Sequence, residues 1–336
     1  MNSRTLFFSV IIAIDKIDLN SIEEYRTWAA AQGEQLPLFF RPWWLDAVCK
    51  PDRWQIALAR NKENKIIGVL PLFQFNKKGI RVIGLPFLTP YMGVYMVYPA
   101  KQKLNSRYDF EKEVLDKLIQ QIPSSPYLQQ KFFPSLTYGL PFYWQGFKLD
   151  WRYTYHLSLQ QDEKAIWENM EGSARTQLQK TLKQVEVIES SDTHIMYKLV
   201  QMTFSRQGKK MPYSLTEFER LYQAASQCQK GKIYLAVLKE DQSPVAGMFL
   251  AHDTETVYNL VLGRNHHLDP GGSIHGILWT AIKEHIGKHQ VFDFEGSMLE
   301  GPERMFRSFG SIRVPVLQVT RYKNRWWKAA FALIGK

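Results

Sequence analysis

Asp293 and Glu295 stand two residues apart in Val291-Phe292-Asp293-Phe294-Glu295-Gly296, and Arg307 follows in Phe306-Arg307-Ser308-Phe309-Gly310. Period-2 alternation puts Phe292 and Phe294 on a buried face and both acids on the other, ending at Gly296, where backbone can approach a ligand. Such a set suits acyl transfer to an amine or hydroxyl, which needs a base for the nucleophile's proton and a donor for the developing oxyanion. Glu295 and Asp293 are the candidate bases or substrate ligands, against the alternative of local capping and a salt bridge to Arg307. The planar fork of Arg307 suits a carbonyl or phosphate oxygen, and an ion pair would occupy it equally well.

Further candidates lie elsewhere in the chain. Tyr91, in Pro90-Tyr91-Met92-Gly93, and Tyr258, on a strand, offer hydroxyls to an acceptor, with core packing as the alternative. Arg175, Lys180 and Lys183 share a helix with no acid among residues 174–185, and Arg175 is the first candidate for a substrate phosphate. Arg206, Lys209 and Lys210 around Gly208 would close the same groove. His266, His267, His285 and His289 raise the question of a metal, but no carboxylate or cysteine completes a ligand set, so none is expected. Cys49 and Cys228 are too few and too far apart for a disulfide framework, which points to a reducing, cytoplasmic compartment.

Positioning these groups requires alternating helices and strands. The first half reads as a helix at 21–32, strands at 54–60, 65–75 and 80–84, a Pro/Gly-rich loop and a helix at 108–121. The second half reads as a strand at 153–159, helices at 164–170, 174–184, 194–207 and 215–227, and a meander at 232–239, 245–252 and 256–262. A helix at 274–286, the strand at 291–294, a helix from Pro302 and a strand at 314–322 complete an α/β layout with a mixed sheet. A chain of 336 residues suits two units of about 150 residues each. The expected divisions are 1–150, 151–322 and a tail at 323–336. The apolar run at 6–14 reads as a first strand or a start-site extension rather than a signal, and no run reaches the ~20 apolar residues that span a bilayer.

The formal charge of +11 suits an anionic partner, such as a nucleotide, an RNA, a phosphorylated lipid intermediate or a membrane surface, with scattered surface charge as the alternative. From Arg321 onward the tail has five basic residues and no acid, together with Trp326, Trp327 and Phe331. It suits either an anionic bilayer interface at the inner face of the cell membrane or packing against the second unit.

The element order and the Asp293-Phe294-Glu295-Gly296 and Phe306-Arg307-Ser308-Phe309-Gly310 segments resemble the GNAT superfamily, specifically the double-GNAT proteins related to FemAB-like peptidyltransferases and CelD-like acetyltransferases. The resemblance implies two GNAT-like domains in tandem, each a mixed, largely antiparallel sheet flanked by helices. It also implies an N-acyltransferase that uses acyl-CoA or aminoacyl-tRNA to modify an amine of a cell-envelope sugar or peptidoglycan-type precursor, lipid-linked or free. Relatives carry Phe-Lys-x-x-Phe-Gly-Gly, so the lysine implicated in stabilising the reacting ester is Arg307 here, and the second glycine is Ser311. The acyl-CoA pyrophosphate loop of simpler relatives corresponds to residues 263–276. There Arg264, Gly271, Gly272 and Ser273 would meet the anion at a helix N-terminus. Met305, Phe306 and Phe309 stand where those relatives have a general-acid tyrosine. A non-catalytic module that binds a nucleotide-sugar, a lipid-linked precursor or RNA is the contrasting reading.

Overall fold

The computed structural model describes residues 19–49, 53–296 and 298–334, so the strand expected at 6–14 lies outside the described residues. The first half contains helices α1 (Leu19–Gln32) and α2 (Pro42–Cys49), then strands β1 (Trp54–Arg60), β2 (Ile66–Lys77), β3 (Ile80–Gly84) and β4 (Tyr95–Met96). Helix α3 (Leu104–Gln120), strand β5 (Tyr127–Lys131), helix α4 (Leu140–Trp144) and strand β6 (Lys148–Ser158) follow. Lys78 and Gly79, at φ 51° and 84°, form the two-residue turn between β2 and β3, as a tight hairpin between twisted strands requires.

The second half opens with α5 (Glu163–Asn169), α6 (Gly172–Gln184), β7 (Val185–Ser190), α7 (Thr193–Arg206) and α8 (Leu215–Gln227). Strands β8 (Gly231–Leu238), β9 (Pro244–His252) and β10 (Thr256–Arg264) make the expected meander. Helix α9 (Ser273–His285), strand β11 (Val291–Asp293), helix α10 (Glu300–Arg307), strand β12 (Ile312–Tyr322) and helix α11 (Arg325–Ile334) complete the chain. Local side chains start several helices. Asp162 and Asp192 cap α5 and α7, and Ser214 with Glu217 forms a reciprocal capping box on α8.

The strands join in one continuous mixed sheet in the order β1-β2-β3-β5-β12-β6-β11-β10-β9-β8-β7, with β4 beside β2. Only β3·β5 and β10·β11 pair in parallel among the described strands, so the sheet is largely antiparallel. The last strand lies at its middle: β12 pairs with β5 of the first half and with β6, which in turn pairs with β11. Residue 150, the expected division, lies within β6.

Strand alternation separates the cores. On β9, Phe249 and Ala251 join a core beneath α1, α2, α7 and α8, whereas Met248 and Leu250 join another beneath α5, α6, α9 and α10. On β1, Ile56 and Leu58 belong to that first core, and Ala57 and Ala59 to a third beneath α3 and α4. The first core draws Trp44, Tyr91 and Phe39 from one half and Phe218, Phe249 and Tyr258 from the other, so burial of apolar side chains, at about 1.5–3 kcal/mol each, ties the halves together.

Candidate active site

Strand β11 is short, and its register places its acid among partners from three segments. Asp293 lies opposite Tyr258 of β10 and opposite His156 of β6. Phe292 and Phe294 face the α9 side, as alternation requires, and Asp293 faces the other, where it is 1% exposed. A buried carboxylate needs donors, and several converge here. Tyr91 Oη donates to Oδ2 at 3.0 Å, and the Glu295 amide donates to Oδ1 at 2.8 Å. The Thr154 hydroxyl also donates to Oδ1. His156 Nε2 lies 3.3 Å from Oδ2, within ion-pair reach, but without the alignment of a hydrogen bond.

Beyond Asp293 the backbone turns sharply. Glu295 has φ +51°, a left-handed conformation that costs a non-glycine residue of order 1–3 kcal/mol. Gly296 then lies directly against β6: its amide donates to Thr154 Oγ1 at 3.0 Å, and a β-carbon would sit 1.8 Å from the Tyr153 carbonyl oxygen. Only glycine fits that approach.

Two cavities meet at Tyr91. One, of about 480 Å³, is lined by Tyr91, His156, Asp293, Tyr258 and Asp253 with Tyr95 and Phe133. The other, of about 300 Å³, is lined by Tyr91, Thr154 and Glu295 with Lys131, Arg152 and Gln318. Burial, then the charge of Asp293, pushes the Tyr91 phenol well above its usual range, which keeps it a donor. Burial, then Asp293, raises the Glu295 carboxyl, while Lys131 opposes the shift. Burial lowers the Lys131 ammonium.

Of the residues singled out in the sequence, the fold gathers Asp293, Glu295, Tyr91 and Tyr258 at this seam. The Tyr258 hydroxyl is engaged: it donates to Asp253 Oδ2 at 3.2 Å, and that carboxylate also accepts from the amides of Leu38, Glu255 and Thr256. Arg307 is half-exposed on α10, 3.8 Å from Glu171 and 3.5 Å from Glu303, and lines neither cavity. Arg175 reaches back to the carbonyls of Trp167 and Glu168, both at 3.4 Å, at the end of α5. Arg206 and Arg264 both approach His266 Nδ1, at 2.6 and 2.9 Å, beside a separate cavity of about 610 Å³.

The loop before α9 is occupied by its own acid. Asp269 Oδ1 accepts from the Gly271 amide at 3.0 Å and from the Ser273 hydroxyl, and Oδ2 lies 3.3 Å from Arg264. Gln177 and Thr181 of α6 donate to the Gly271 carbonyl at 3.0 and 2.7 Å, and Gly272 packs too closely on Thr181 to carry a β-carbon. His285, His289 and His252 form a chain of ring contacts, both of 3.2 Å. Burial, then repulsion within the chain, lowers His285 to about 3 and His289 to about 4. Among the described residues no group of His, Cys, Asp and Glu is arranged to hold a metal ion.

His156, Thr154, Lys131 and Arg152 are absent from the sequence reading. The strand expected at 153–159 places Thr154, His156 and Ser158 on one face, against Tyr153, Tyr155, Leu157 and Leu159 on the other, and that polar face was the available signal.

No family model matches the chain, and no curated protein matches its sequence. Solved structures do match. FemX is 14% identical with a TM-score of 0.60, covering 91% of this chain and 96% of its own. L-PGS from Bacillus licheniformis is 11% identical with a TM-score of 0.53, covering 96% and 98%. A tandem GNAT protein from the clavulanic acid biosynthesis pathway is 8% identical with a TM-score of 0.52, covering 93% and 97%. The chain shares the tandem GNAT-like fold of these structures.

Proposed function

We propose that this chain is an acyltransferase that passes an acyl or aminoacyl group to an amine at the Asp293 seam. The observation that carries this reading is the His156–Asp293 contact, set on the wall of a cavity where two cavities meet at Tyr91. On this reading the Asp293 charge, 3.3 Å from Nε2, favours through space the tautomer with its proton there, which leaves Nδ1 of His156 as the acceptor for the amine's proton. The amine attacks the donor carbonyl, the new C–N bond forms, and the leaving oxygen or sulfur departs with a proton. Asp293 acts through His156, and Tyr91 and Thr154 fix the carboxylate. Glu295, whose carboxyl burial and the Asp293 charge push well above the usual carboxylate range, serves as a substrate ligand rather than the base.

The shared fold supports donors of the acyl-CoA and aminoacyl-tRNA types. The acceptor class we favour is an amine on a cell-envelope sugar or peptidoglycan-type precursor, reached from the cytoplasmic side. Among the described residues no helix is long and apolar enough to cross a membrane. Helix α11 leaves Trp326 and Leu333 exposed, at 74% and 78%, while Phe331 stacks on Tyr127, an arrangement compatible with peripheral contact at an anionic bilayer.

The test is transfer of labelled acetyl from acetyl-CoA, and of labelled amino acid from aminoacyl-tRNA, to amino sugars and muropeptide precursors. His156→Gln should lower kcat by about 10²–10⁴ with folding retained. A wild-type chain that transfers from neither donor, or a His156→Gln chain as active as wild type, would end this reading.

A further inference from the structure

Three polar groups around the smaller seam cavity lack partners among the described residues. Glu295 is partly exposed as a residue, yet its Oε1 is buried and makes no hydrogen bond. Arg152, on β6, uses Nε to donate to Gln318 Oε1 at 3.2 Å, and its two terminal nitrogens are unengaged. Lys131, at the end of β5, feels Glu295 and Asp293 only through space. All three line the same space of about 300 Å³.

A buried or half-buried charge left unpaired costs several kcal/mol, and a chain selected for stability alone would pair it or replace it. Instead, a left-handed backbone at Glu295 holds the carboxyl beside two cations that do not bond to it. Strain and unpaired polarity at one place mark a site arranged for a ligand. With two basic side chains against one carboxyl on its wall, the space suits an anion. The free end of the Arg152 fork matches a planar carboxylate, and Lys131 adds a point charge. Tyr153, Val316 and Met298 supply apolar walls for a short carbon skeleton beside it.

We propose that this cavity binds the free carboxylate of an amino-acid or peptide ligand through Arg152 and Lys131, with Glu295 completing the contact. The inference deepens the transfer reading by naming a substrate class: one of the two substrates carries a free carboxylate, seated across Tyr91 from His156.

Ligand-observed NMR on the whole chain tests this with three probes: N-acetylglycine, glycinamide and inorganic phosphate. N-acetylglycine should bind and glycinamide should not. Arg152→Gln and Lys131→Met should each weaken N-acetylglycine by about tenfold or more, and Lys131→Arg should retain most of the binding. Thermal unfolding separates recognition from structure: Lys131→Met removes an unpaired cation, so its Tm should equal or exceed that of wild type. Tighter binding of phosphate than of N-acetylglycine would reassign the site. Equal binding of glycinamide, no binding of N-acetylglycine, unaffected variants, or a marked fall in Tm for Lys131→Met would each overturn the proposal. Binding is read without turnover, so a chain that binds N-acetylglycine here and transfers nothing would remove the transfer reading and leave this one standing.

Discussion

The turn after β11 and the loop before α9 are made of similar parts: an acid, glycines and a change of direction toward a helix. Before α9, Asp269 folds back on the Gly271 amide, the Ser273 hydroxyl and Arg264, and α6 covers the Gly271 carbonyl. The helix N-terminus that would attract an external anion thus meets an internal one. After β11, Asp293 is equally well supplied with donors, but its neighbours Glu295, Lys131 and Arg152 keep polar groups unengaged beside a cavity. Residue types that look alike in sequence therefore differ in what they leave available. In the α9 loop one buried oxygen, Asp269 Oδ2, is left to the Arg264 charge alone, whereas at the seam three side chains keep polar atoms unengaged around a cavity, which is why the proposed chemistry is assigned there.

The largest effect that sharpens this contrast is expected at Asp293. Asp293→Asn keeps the shape but cannot satisfy every donor or hold His156, so transfer should fall by about 10²–10⁴ and stability by about 1–3 kcal/mol, measured by kinetics and urea unfolding. Asp269→Ala should cost a similar 1–3 kcal/mol, roughly, because it strips a buried acceptor from α9, yet leave transfer unchanged in the folded fraction. Loss of transfer with stability intact would reverse the contrast.

Next in size is a pH effect at Glu295. Its folded-state affinity for a proton is raised above the ordinary carboxyl value of 4.5, so the folded chain keeps a proton that the unfolded chain has lost. The corresponding stability is full below about pH 4.5 and declines as pH rises toward the folded-state value. Glu295→Gln should flatten that decline, read as urea midpoints across pH; an unchanged slope would show the carboxyl to be ionised in place. The smallest effect is expected at Arg307. Its ion pairs are half-exposed, so Arg307→Ala should change stability by about 0–1 kcal/mol and leave the transfer rate close to wild type.

Local signals carried much of the architecture. Alternation at 291–294 marked β11 and the faces of Phe292 and Asp293, and the acid-glycine turn marked Glu295 and Gly296. What was not legible depends on pairings between distant residues. His156 and Asp293 meet through the β6·β11 register, and Tyr91 reaches Asp293 from a loop 202 positions earlier. Lys131 and Arg152 share a cavity because β12, the last strand, lies between β5 and β6. The opposite difficulty affects arginines on helices. Arg307 and Arg175 have the right type and spacing for substrate contacts, but a long side chain on a helix surface reaches nearby acids and carbonyls first, as both do here.

The central claim is that ligand binds at the seam and not at the N-terminus of α9. Amide hydrogen exchange, compared for the chain alone, with acetyl-CoA and with aminoacyl-tRNA, tests it most directly. Protection by either donor at residues 88–93, 152–156 and 293–296, with 263–276 unchanged, is the expected result. Protection confined to 263–276, with the seam exchanging as it does in the free chain, would contradict it.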